Sequence, residues 1–180
     1  MAYRKAMLPS QASSGVAIHE APTDKLALLV KSIVEIEAPV HEVEIARRLM
    51  EAFGVSRAGS RIVESVDVAL RHGHRSGMFH FAGGFAYTDT SRIAKVRNRS
   101  ALASSERKIE WVSPEEMDAA LLEVIRLGFS ISQDAAVSSA LDSLGFGRAT
   151  ANISSAMKVR VDRLLEGNHL KRQEDMLLAV

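Results

Sequence analysis

A mainly α-helical protein with small β-hairpins, built as two tandem units, is predicted by three features of the 180-residue sequence. Apolar residues recur at three- and four-residue spacing over six stretches. Alternating apolar residues around a turn follow the third and the sixth of them. The second half of the chain then repeats the pattern of the first at an offset of 91 positions.

Residues 1–22, with Ser, Gly and Pro and little periodicity, read as a tail or linker. "TDKLALLVKSIVEIE" predicts an amphipathic helix with Thr23 as its N-cap and Leu26, Leu29, Val30, Ile33 and Ile36 on one stripe; Pro39 ends it. "HEVEIARRLMEAF" repeats the pattern and stops at Gly54, with His41 helping to start it. "RAGSRIVESVDVALRHG" predicts a third helix from Arg57 that closes at Gly73. "GMFHFAGGFAY" then alternates around Gly83-Gly84, a hairpin whose Phe79, Phe81, Phe85 and Tyr87 would cover the first core.

A basic connection over 91–112 separates this unit, residues 23–90, from a second at 113–180. There Ser113 at N-cap, Pro114 at N1 and Glu116 at N3 predict a capping box. "SQDAAVSSALDSLGFG" and "RATANISSAMKVRVDRLLEG" supply two more helices, and "HLKRQEDMLLAV" a second hairpin turning at Gln173-Glu174-Asp175. The 91-position offset pairs Val30 with Leu121, Ile33 with Val124, Met50 with Leu141, Phe53 with Leu144, Arg57 with Arg148 and Ile62 with Ile153. Three helices followed by a two-stranded wing describe a winged-helix unit, a helix-turn-helix variant; the expected architecture is therefore a tandem winged-helix repeat.

The stretch "SIVEIEAPVHEVEIARRLMEAFGVSRAGSRI", the glycine- and aromatic-rich hairpin, "RNRS", "SPEEMDAAL" and "LGFGRAT" together resemble the domain of unknown function 3320 family. That family is a C-terminal domain of bacterial superfamily I helicase-related proteins, and its pattern usually has glycine where Ala38 stands. The resemblance implies an accessory part of a DNA-processing machine, with helicase or nuclease domains of a larger parent protein as partners. The chain itself has no GxxxxGK[ST] phosphate loop.

Composition narrows the chemistry. There is no cysteine, which removes disulfides, thiolate nucleophiles and cysteine-based zinc sites. The six histidines fall in no HExxH-like pair, so neither a metal nor another cofactor is expected. No GxSxG-type motif fixes a nucleophile, and a non-enzymatic protein is expected. The run "KLALLVKSIVEI" is too short for a membrane span and no signal-like segment opens the chain, so a cytoplasmic location is expected.

With a net charge of +1, affinity for nucleic acid must come from local arrangement. Helical geometry places Arg57, Arg61, Glu64, Val68, Arg71, His72 and Arg75 on one face of the third helix, with Ser60 at its first turns. Arg92, Lys95, Arg97 and Arg99 follow in the connection. These ten cationic or hydroxyl positions (Glu64 and Val68 excluded) are the candidate contacts for duplex DNA. Two alternatives stand beside this: a solvated face in which Arg61 pairs with Glu64 and Arg57 with a carboxylate of the second helix, or a protein-interaction or oligomerisation surface. In the second unit the same face reads Arg148, Asn152, Ser155, Val159, Asp162, Arg163 and Glu166, with no net charge. DNA contact is therefore expected in the first unit. Arg61, which becomes Asn152, is the sharpest functional candidate.

Overall fold

The computed structural model describes residues 1–12, 15–88, 95–147 and 149–180. They form two compact units: an N-terminal one, Arg4–Arg92, and a C-terminal one, Ile93–Val180, to which Met1–Tyr3 also belong. The described chain is mainly helical with small antiparallel sheets.

The N-terminal unit runs α1 (Thr23–Glu37), β1 (Val40–His41), α2 (Glu42–Phe53), α3 (Ser60–Arg75), β2 (His80–Ala82) and β3 (Phe85–Tyr87). Its sheet has the order β1-β3-β2, with Ala86 opposite both Val40 and Phe81. Leu26, Val30 and Ile33 of α1 meet Leu49 of α2, Leu70 of α3 and Phe79 in one buried cluster. The His41 imidazole Nδ1 accepts from Val43 N–H to start α2, and Gly54, at φ +69°, ends it.

The C-terminal unit runs α4 (Pro114–Gly128), β4 (Ile131–Ser132), α5 (Gln133–Leu144), α6 (Ala151–Glu166), β5 (Leu170–Gln173) and β6 (Met176–Ala179), with the sheet order β4-β6-β5. Each element from α1 to α3 has a counterpart 91 positions later, end for end. Short strands β1 and β4, two residues each, have too little alternation to be recognised in the sequence.

Several expected boundaries move. The third helix begins at Ser60, so Arg57 lies in the connection before it; glycine is a poor helix former, and Gly59 stays extended as the N-cap. Pro22 takes the cap position of α1, which makes Thr23 its first helical residue. Gly73 does not stop α3 but lies inside it, where the Phe79 ring occupies the space a side chain would take. A Cβ there would sit 2.5 Å from that ring. Gly73→Ala is therefore expected to lower stability by about 1–3 kcal/mol through overpacking, despite alanine's better helix propensity. A thermal melt no lower than that of the parent would refute this.

The expected tail and linker are also corrected. Ala6 and Ile18 are buried, and Gln11 N–H donates to Ala52 O at 2.7 Å. Ala6 N–H donates to the fully buried Glu37 carboxylate at 2.8 Å, and Arg48 closes on the same carboxylate with Nε–Oε1 at 2.7 Å and Nη2–Oε2 at 3.0 Å. In the C-terminal unit, Arg97 N–H donates to Glu116 Oε1 at 2.8 Å and Arg99 N–H to Leu144 O at 2.9 Å. Extended backbone entering each unit is thus tied to a buried carboxylate that arginine neutralises, since neither a lone buried charge nor an unpaired N–H is tolerable there. Residues 4–12 and 95–99 are built into the units they precede. Among the described residues, no helix is long and apolar enough to cross a membrane.

Candidate nucleic-acid interface

Burial of Val66, Ala69, Leu70 and Gly73 fixes the rotation of α3 and turns Ser60, Arg61, Glu64, Val68, Arg71 and Arg75 to solvent. Among the described residues, no side chain caps the start of this helix. The first N–H groups of the helix therefore lack a side-chain cap at an exposed end of the chain segment that carries Arg57 and Arg61, with no acid among residues 60–63. Such a terminus carries partial positive charge and favours an anion. A shallow groove of about 310 Å³ runs alongside, lined by His19, Thr23, Arg61, Glu64, Ser65 and Val68.

The cations of this face do not all remain available. Arg71 pairs with Asp67 one turn earlier, and His72 Nε2 lies 2.7 Å from Asp24 Oδ1, half-buried. Asp67 also lowers the charge of the face below the sequence-based expectation. Arg57, Arg61 and Arg75 have no ion-pair partner among the described residues, and neither does Glu64. The expected alternative, in which Arg61 is consumed by Glu64 and Arg57 by a carboxylate of α2, is not what the side chains do.

The basic connection divides further. Lys95 is exposed, and Arg92 lies outside the described residues. Arg97 and Arg99, expected as phosphate contacts, are 7% and 2% exposed. Both clamp Glu116: Arg97 Nη2–Oε2 is 2.6 Å, Arg99 Nη1–Oε1 2.9 Å and Arg99 Nη2–Oε2 2.8 Å. The Tyr3 ring lies beneath the two guanidinium groups, at 5.0 and 4.7 Å. Burial alone would raise the Glu116 pKa, but the hydrogen bonds and charges of Arg99 and Arg97 hold it below the ordinary glutamate range. Glu116 therefore does not complete a capping box; only Ser113 Oγ, accepting from Glu116 N–H at 3.2 Å, caps α4.

The C-terminal counterpart of the α3 face is arranged differently. Thr150 stands where Gly59 does and caps α6, its Oγ1 accepting from Ile153 N–H at 3.5 Å. Lys158 pairs with Asp134 at 2.9 Å, and Arg160 Nε with Asp118 Oδ1 at 2.7 Å, a bond that raises the arginine pKa further. Arg148 lies outside the described residues. Among the described residues, no group of three or more histidine or carboxylate side chains could hold a metal ion.

A family model described as a protein of unknown function (DUF3320) matches residues 16–64. The match supports the family resemblance over α1, α2 and the first turns of α3, a stretch that includes Arg57, Ser60, Arg61 and Glu64. No curated protein and no solved structure matches the chain.

Proposed function

We propose that this chain is a non-catalytic DNA-binding accessory module made of two winged-helix units, with α3 of the N-terminal unit entering the major groove of a duplex. The order helix, short strand, two helices and hairpin, with the short strand pairing to the last one, supports the winged-helix reading in each unit. The observation that carries DNA contact is the start of α3, where unpaired Arg57 and Arg61 and an uncapped helix terminus face solvent together. Membership of a larger helicase-related, DNA-processing protein rests on the family resemblance alone.

Anisotropy titration against duplex DNA over a salt series tests the proposal. Affinity is expected to fall steeply as salt rises, because binding to phosphates releases counterions. Arg57→Glu with Arg61→Glu should flatten the salt slope by about 2, one for each phosphate left without its arginine. Arg148→Glu with Arg163→Glu should change it far less. The reverse ranking would sink the assignment of DNA binding to the N-terminal unit.

A protein-interaction module is the second reading, and one feature favours it. Phe129 is 86% exposed at φ +57°, in a tight turn where Ser130 N–H donates to Gly128 O at 2.6 Å, and Leu127 beside it is also exposed. A bulky side chain at positive φ is strained, and a partner that covers this exposed ring would account for its retention there. Absence of binding to any duplex at low salt would leave this reading in place.

A further inference from the structure

We infer that α3 reads base sequence as well as phosphate, with Arg61, Glu64 and Val68 facing base edges, and that its target contains a guanine and a nearby cytosine. This rests on the DNA-binding proposal above.

The argument starts from Glu64. A carboxylate in the middle of a face that only gripped phosphates would oppose binding, and Arg61 is spaced to neutralise it at i, i+3. The two side chains are nevertheless not paired, and both are exposed. In the major groove an ionised carboxylate can accept only from a base amino group, and cytosine N4 is its usual partner; arginine matches guanine O6 and N7 in a bidentate geometry. Val68, 38% exposed on the same face, suits a thymine methyl.

Spacing agrees with this assignment. Positions 61, 64 and 68 span about 10.5 Å of helix axis, close to the roughly 10 Å of three base-pair steps. Arg57 and Arg75 bracket the three positions and supply the phosphate contacts that set the register. Between them Arg71 is held by Asp67, which leaves the centre of the face with little net charge to override base discrimination. The C-terminal counterparts, Asn152, Ser155 and Val159, include no arginine and no carboxylate, so that unit would not share the preference.

Selection of bound sites from a random-sequence duplex pool, using the full chain, tests the inference. The parent should enrich a motif containing the guanine and the cytosine. Glu64→Gln should change the preferred base at one position from cytosine to adenine, which glutamine reads, by about tenfold, with the other positions unchanged. Arg61→Ala should flatten discrimination at the guanine position. Both side chains are exposed, so both variants should melt with the parent, which separates impaired recognition from impaired folding. Binding without any enriched motif, or a Glu64→Gln motif identical to that of the parent, overturns base reading and leaves phosphate binding standing. No binding at low salt overturns the DNA proposal and base reading with it.

Discussion

Glu116→Ala is expected to destabilise the C-terminal unit by about 3–5 kcal/mol, the cost of leaving buried charge without its partner. The side chain is fully buried and receives both guanidinium groups and the Arg97 N–H. Its removal strands three sets of donors in a region closed by the Tyr3 ring. Urea denaturation of the full chain measures the loss; a change below about 1 kcal/mol, the range of an exposed ion pair, would show that the cluster is not buried as described.

Acid gives an independent check on the same residue. The native pKa of Glu116 lies below its unfolded value, so its contribution is complete above the ordinary glutamate range and is lost as pH falls through the native pKa. The parent should therefore lose stability along that limb, whereas Glu116→Ala should lose less. Parallel acid limbs would refute the assignment.

The second large effect compares two glycines at equivalent positions. Gly54 and Gly145 end α2 and α5 in the left-handed region, at φ +69° and +84°. A Cβ on Gly54 would meet only Ala12 Cβ, at 3.4 Å, an ordinary contact. On Gly145 it would lie 2.5 Å from Arg99 N and collide also with Ser100 N. That backbone cannot retreat freely, because Arg99 N–H is bonded to Leu144 O and the Arg99 guanidinium to Glu116. Gly54→Ala should cost about 1 kcal/mol for the backbone conformation alone. Gly145→Ala adds overpacking and should cost about 3 kcal/mol or more. Equal losses would mean that the segment at 98–100 does not press against the turn.

Local periodicity carries much of this architecture. Helices α1, α2 and α4 to α6, the turn at Gly83-Gly84 and the 91-position offset are all legible, because apolar phase and glycine placement are local signals. The starts of α3 and α6 each lie three residues beyond the expected ones, Arg57 and Arg148, since the periodic stripe does not reveal that Gly59 and Thr150 stay extended. The lead-in segments escape a sequence reading for a different reason. Their hydrogen bonds reach 31 residues from Ala6 to Glu37 and 19 from Arg97 to Glu116, beyond any local pattern.

A cue does exist. Glu37 falls in phase with Leu26, Val30 and Ile33, and Arg48 with Ile45 and Ala52, so each puts a charge on an apolar stripe. For the candidate interface, the exposed face of α3 is readable from the heptad-like spacing. Which of its cations are free is not, because Asp67 and Asp24 decide that by contact.

The two buried carboxylates bear on how a chain with a tandem pattern avoids assembling wrongly. Repeated units invite exchange of equivalent segments during folding. Here the anchors are not equivalent: Glu37 corresponds to Gly128, Arg48 to Ser139, and Glu116 to Lys25. If the 95–99 segment settled against the N-terminal unit, Arg97 and Arg99 would meet a lysine at the matching position. If residues 4–12 settled against the C-terminal unit, Ala6 N–H would find a glycine in place of its carboxylate. The two anchors are therefore not interchangeable between the units: Glu37 with Arg48 receives Ala6 N–H, and Glu116 receives Arg97 and Arg99.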